Sequence, residues 1–380
     1  MTGRGIGVRE LARQVPCNPG YLSSLRNGNK RPSRQIAARF DELLDAGGLL
    51  AALSAGSLAD HAEDTGAPAD AARLRLDALT AAQLDELTAH LGAQWHALVK
   101  TDNMLGPRHA LDGVHAYLGV IGALLKTVRP PVRQKVLRLG ARYAESAAWL
   151  YEDSGDLPSA RFWTGRSMEW AVEGGDRLMV SWALFRRSQQ AMAARDPAQI
   201  AGLASAARRE ARGLRGPMLA AILQQEAHAY ALDGAEKACH ELLDRAHALA
   251  AELSDPGDAS NGHGSFCTPA YLEMQRGICW RTLAQPGKAG QCWQRQMGSL
   301  PPVYRRDRGV GLSQQAAALV ALGEPAEAAV AAVKALSIAQ DSGSGRILRM
   351  IVPVASALEP HRHLEPVTQL RTALAEAHLG

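Results

Sequence analysis

AAWLYEDSGDLPSARFW, residues 147–163, holds two helical patterns and the break between them. Gly155 supplies the break, and the small residue Ala160 follows five positions later, where a second helix would pack closely on the first. The same pairing of a turn residue with a small residue returns along the chain: Asp196 with Ala201, Gly234 with Cys239, Gly287 with Cys292, and Gly323 with Ala328. The turn residues are separated by 41, 38, 53 and 36 positions. The longest interval contains an insertion, Ser254–Thr268, SDPGDASNGHGSFCT, which reads as a loop. One helix pair leaves an apolar face uncovered, and stacking the pairs buries those faces in a continuous core. The expectation is an all-α protein whose larger part, residues 74–380, is an α-solenoid of helix pairs.

A period somewhat above roughly 34 residues, with paired helices, resembles the tetratricopeptide repeat. Tyr151, Gly155, Asp156 and Ala160 fit that repeat's marker positions, while the other copies are degenerate. Ahead of the repeats, Ala81–Val99 and Leu111–Leu125 each carry an amphipathic helical pattern, the second ending before Arg129-Pro130-Pro131. Residues 54–73, SAGSLADHAEDTGAPADAAR, are rich in Ala, Gly, Ser and Asp and read as a linker.

At 380 residues the chain is long enough for two or more domains. It is 47% hydrophobic and 21% charged, and no apolar run approaches the ~18 residues of a membrane helix, so no membrane partner is expected. The N-terminus is basic and lacks the apolar stretch of a secretory signal. The five cysteines, at 17, 239, 267, 279 and 292, are odd in number and form no CxxC pair. A reducing cytoplasm is the compartment this fits. Cys17, Cys239 and Cys292 read as small core residues, and Cys267, in the inserted loop, as the reactive thiol.

The first domain is read from Val8–Gly28, VRELARQVPCNPGYLSSLRNG. Val8, Leu11, Ala12 and Val15 mark one helical face, Pro16 and Cys17 break it, Asn18 and Pro19 suit the start of a second helix, and Asn27-Gly28 ends it. Residues 1–45 carry eight basic and four acidic side chains, a balance equal to the whole chain's net charge of +4. A local basic patch on an otherwise balanced chain is the electrostatic footprint of a nucleic-acid module.

These residues resemble the Cro/C1-type (XRE family) helix-turn-helix of bacterial regulators. Ala12 stands where the two helices cross, and Cys17, Leu22 and Leu25 at the buried positions. Arg34–Leu44 resembles the helix that follows. The match covers residues 1–53. It departs from the family in having Pro16 for the usual turn glycine and only MTGRGIG before Val8. The resemblance implies binding to double-stranded DNA with the second helix in the major groove. It places Pro19, Gly20 and Ser24 at base-facing positions, with Asn18 and Ser23 beside them. Arg9, Arg26, Asn27, Lys30, Arg31 and Arg34 would hold phosphates, which set affinity and salt dependence rather than sequence choice. Regulators of this type pair to span two half-sites, so a homodimer is expected. The family also includes peptide-responsive members.

No Ser-His-Asp, HExxH or P-loop signature occurs, so neither enzymatic activity nor a cofactor is expected. His361 and His363 lack a third ligand at useful spacing, and no metal is expected. Glu145, Glu152, Asp153 and Glu169 read as solvated helix-face charges. All seven tryptophans lie beyond the linker, and most read as core. Trp163 and Trp170 are seven apart, with Trp182 in the next pair. With Arg166, Arg186 and Arg187 they form the expected groove for a peptide or protein effector. The functional expectation is therefore a transcriptional regulator with a helical-repeat sensor and dimerisation domain. The alternative is an interaction scaffold whose shortened helix-turn-helix no longer binds DNA.

Overall fold

The computed structural model describes Val15, Ile36, Arg39 and residues 79–210, 216–251, 264–296, 299–300 and 304–377. The chain divides into two units, Met1–Leu74 and Arg75–Gly380. The second carries nearly all the described residues, and among these it is all helical. Its helices are α1 (Ala81–Leu105), α2 (Pro107–Thr127), α3 (Val132–Ser154), α4 (Leu157–Glu173), α5 (Arg177–Ala191), α6 (Pro197–Glu210) and α7 (Pro217–Leu232). After them come α8 (Glu236–Ala251), α9 (Pro269–Thr282), α10 (Pro286–Gln296), α11 (Arg305–Leu322), α12 (Pro325–Ser342), α13 (Gly345–Ala357) and α14 (Glu365–Ala377). None of these is long and apolar enough to cross a membrane.

Local chemistry sets the boundaries. Thr80 and Gln83 form a reciprocal capping box at the start of α1. Asp156, Asp176, Thr268 and Ser344 each accept an amide hydrogen from the first turn of α4, α5, α9 and α13. The helices pack in chain order, most tightly as the hairpins α3–α4, α5–α6, α7–α8 and α11–α12, with α9–α10 packed as closely as α2–α3. The two sequence-predicted helices ahead of the repeats are present and longer than expected, as α1 and α2.

Each hairpin turns on one residue with positive φ: Gly155, Arg195, Gly234, Ala284 and Gly323. Five positions on from each stands a fully buried residue, Ala160, Ile200, Cys239, Ala289 and Ala328 in that order. Two of the sequence-read pairs are therefore corrected. Arg195 with Ile200 replaces Asp196 with Ala201, and Ala284 with Ala289 replaces Gly287 with Cys292. Neither true turn residue is a glycine, so a search for turn-forming residues lands on Asp196 and Gly287 beside them. Cys292 is accordingly half-buried rather than core. A left-handed alanine is strained by roughly 1–2 kcal/mol, part of which glycine returns as unfolded-chain entropy. Ala284→Gly is expected to raise stability by about 1 kcal/mol in a urea titration. An unchanged or lower midpoint would show that the turn carries no such strain.

An open row of hairpins keeps its two ends apart. Here α13 packs on α3, and α12 touches α1, so the last helices return to the first. Two glycines permit that approach. A β-carbon on Gly106, after α1, would run into the Ser342 carbonyl oxygen of α12. One on Gly345, at the start of α13, would run into the Ser154 carbonyl oxygen of α3.

A candidate ligand cavity where the helical row closes

The closure is ionic as well as steric. Arg306 of α11 grips Asp102 of α1 with both terminal nitrogens, at 2.7 and 2.6 Å, and donates to Asp153 of α3 at 2.8 Å. Asp153 is wholly buried and also accepts from Ser344 Oγ at 2.8 Å and Arg346 Nε at 3.1 Å. The forked geometry of Arg306 on Asp102 is the strong form of such pairing. Desolvation works to raise the Asp153 pKa, but Arg346, Arg306 and the hydrogen bonds outweigh it and hold the carboxyl below its ordinary range. Arg306, which burial would push down, is held above its ordinary value by Asp102 and Asp153.

Beside this seam lies a cavity of about 370 Å³, lined from α1, α2, α3, α5, α9, α11, α13 and the turn at Gly264–Phe266. That volume lies at the lower end of the range of roughly 300–1,000 Å³ usual for small-molecule sites. Three indoles line it, and each ring is pinned through its N–H. Trp95 donates to Ser146 at 2.8 Å, Trp149 to Asp102 at 3.1 Å, and Trp182 to Glu145 at 3.0 Å. All three N–H groups are thereby satisfied within the protein. The Trp149 ring carries three guanidiniums: Arg346 at 4.9 Å, Arg186 at 5.1 Å and Arg306 at 5.8 Å from its centroid. Trp182, Phe266 and Tyr271 make a run of edge-on aromatic contacts on the same lining, with centroids 6.1 and 4.9 Å apart in turn. Asp307 faces the cavity near Arg346, and burial raises its carboxyl pKa despite the arginines.

Of the residues read from sequence as a groove, Trp182 and Arg186 are brought together on this cavity. The other four lie elsewhere. Trp163 packs on His115 of α2, with ring centroids 5.4 Å apart. Trp170 is half-buried against Gly140, whose added β-carbon would lie 2.9 Å from its ring. Arg166 covers the Trp170 ring and pairs with Glu169 at 3.0 Å, and Arg187 is half-buried away from the cavity. The DNA-contact set, Arg9, Asn18, Pro19, Gly20, Ser23, Ser24, Arg26, Asn27, Lys30, Arg31 and Arg34, lies outside the described residues.

The sequence matches no protein-family model and no curated protein.

Four residues read from the sequence need correction. Asp153 is not a solvated charge, and Glu145 and Glu152 both pair with the buried Arg186, at 3.6 and 2.9 Å. Only Glu169 of that group is well exposed. Cys267 is not a reactive thiol, since it is wholly buried and burial pushes its pKa far up. Sequence reasoning also passed over Trp95, Trp149, Asp102, Arg306 and Arg346. Trp149 sits inside the repeat stretch first singled out, and its position beside Asp153 on α3 was the one available signal. Among the described residues no group of three or more His, Cys, Asp or Glu could hold a metal ion.

Proposed function

We propose that this chain is a cytoplasmic, sequence-specific DNA-binding transcriptional regulator, with a helix-turn-helix in residues 1–53 and a ligand-sensing helical-repeat unit behind it. The observation that carries the sensing half is the cavity at the seam between α1–α3 and α11–α13. A ligand there touches both ends of the helical row at once. It therefore has the means to favour one arrangement of that row over another, which any effector must do to shift an equilibrium. The DNA-binding half is supported by the sequence pattern of Val8–Gly28 and by the basic excess of residues 1–45. Two copies acting together would span two half-sites, with contact supplied by the helical unit.

The test is binding of the full chain to genomic DNA, mapped genome-wide and then measured on the recovered site. Lys30→Ala with Arg31→Ala is expected to weaken binding to every sequence and to flatten the dependence of log affinity on log salt by ~1.8, about 0.9 per lost phosphate contact. An unchanged slope removes these residues from the phosphate contacts. A chain that recovers no DNA at all supports the scaffold reading instead.

A further inference from the structure

The charges around the cavity do not balance. Three of its arginines are matched one to one: Arg306 by Asp102 at 2.6 Å, Arg346 by Asp153 at 3.1 Å and Arg186 by Glu152 at 2.9 Å. Two carboxylates on the lining, Glu145 and Asp307, are left over, and a third, Asp176, caps α5. The Asp307 carboxylate makes no hydrogen bond among the described residues, and its nearest cation, Arg346 Nη2, stands too far off for one at 3.8 Å. Glu145 takes the Trp182 N–H and the more distant Arg186 Nε on one oxygen, Oε1, which leaves Oε2 without a hydrogen bond among the described residues. Against these stands one further cation, Arg142, at the exposed margin of the cavity. With histidine counted as neutral, the lining is at least one positive charge short.

Both left-over carboxylates adjoin the aromatic run. Glu145 sits at the Trp182 edge, through its 3.0 Å hydrogen bond from the indole. At the other end, burial raises the Tyr271 phenol pKa and the Asp307 carboxylate raises it further, so Asp307 lies within Coulombic reach of that ring. Phe266 joins the two ends, in edge-on contact with both Trp182 and Tyr271. The Asp307 side chain lines the cavity and is 21% exposed. Burial nonetheless raises its own pKa, so it opens onto enclosed space rather than bulk water. Aromatic rings attract a cation, most strongly where water is excluded, and a carboxylate beside them adds a charged partner. A metal ion does not suit the site. It asks for about six oxygen ligands, and among the described residues no group of three or more His, Cys, Asp or Glu could hold one.

We propose that the cavity binds a small organic cation, a primary or quaternary ammonium on an apolar body. The ammonium pairs with Asp307, the body lies along Phe266 and Trp182, and Glu145 adds to the negative field. As an effector site this rests on the regulator reading above; as a binding site it does not.

Phenethylamine, cyclohexylamine and choline are titrated into the full chain by calorimetry, each against a neutral counterpart: phenethyl alcohol, cyclohexanol, and the alcohol in which carbon replaces the choline nitrogen. At least one cation is expected to saturate and to bind about tenfold or more tighter than its counterpart, the scale of a desolvated cation–π contact or a charged hydrogen bond. The amines and choline separate a primary ammonium from a quaternary one. Asp307→Asn keeps the shape and removes the charge. It is expected to weaken that cation about tenfold and to leave the neutral counterpart unchanged. Because burial penalises this carboxylate, the melting temperature is expected to hold or rise. Glu145→Gln keeps an acceptor for the Trp182 N–H and is expected to weaken the cation in the same direction. Equal binding within all three pairs, or no saturation by any cation, overturns the proposal. So does a preference for the cation that survives Asp307→Asn. If that variant melts early, Glu145→Gln takes its place in the same comparison. Cation binding that leaves DNA affinity unchanged sinks the regulatory reading and keeps the ligand. DNA binding without cation binding does the reverse.

Discussion

Asp153→Ala is expected to destabilise the helical unit by about 3–5 kcal/mol, the cost of stripping the partner from a buried charge. The carboxylate is wholly buried and receives Arg306, Arg346 and Ser344. Its removal leaves Arg346 with only the distant Asp307, while Arg306 keeps Asp102. Chemical unfolding followed by circular dichroism measures the loss. A cost below about 1 kcal/mol, the level of a surface ion pair, would show that the seam does not hold the two ends together. The same carboxylate gives a pH signature. Its pKa in the folded chain lies below the ordinary 3.8. The folded state therefore binds fewer protons than the unfolded one, and the stabilisation is complete above about pH 3.8 and is lost as the pH falls through the folded value. In Asp153→Ala that part of the acid dependence disappears.

Trp293→Ala is expected to cost a similar amount, about 3–5 kcal/mol, for a different reason. Trp293 of α10 is wholly buried and donates to the Met274 carbonyl of α9 at 3.0 Å. Its ring lies over Gly277, where an added β-carbon would be 2.7 Å from both Cε2 and Nε1. Gly277→Ala alone overpacks this contact and is expected to cost about 1–3 kcal/mol. In the Trp293→Ala background the added methyl has the emptied ring space, so the pair is expected to cost less than the two single changes together. Strict additivity in urea titrations would mean that glycine and indole do not share one packing site.

These two sites mark how far the sequence could be read. The hairpin turned by Gly155 was legible because its left-handed residue is a glycine and Asp156 caps the helix behind it. The turns at Arg195 and Ala284 were misplaced because tertiary packing holds ordinary residues in a conformation that local propensity disfavours. Trp182 and Arg186 were named only as two of six groove residues, and their four-apart spacing on one helix is what puts both on the cavity. The rest of the cavity was not. Asp153 meets Arg346 across 193 residues, and no local pattern distinguishes a carboxylate awaiting such a partner from a solvated one.

Asp102 and Arg306 are 204 positions apart in the chain. At a synthesis rate of about 5–20 residues per second, roughly 10–40 seconds separate their appearance from the ribosome. In an open array each hairpin is finished against its neighbour soon after it is made. Here α1 and α3 leave the ribosome with carboxylates and a glycine-lined backbone that only α11, α12 and α13 complete. The first helices of the unit are thus the earliest made and among the last to be finished. Contacts of this sequence separation slow folding, and a nascent chain halted before Arg306 carries the front half of the seam with nothing to close it.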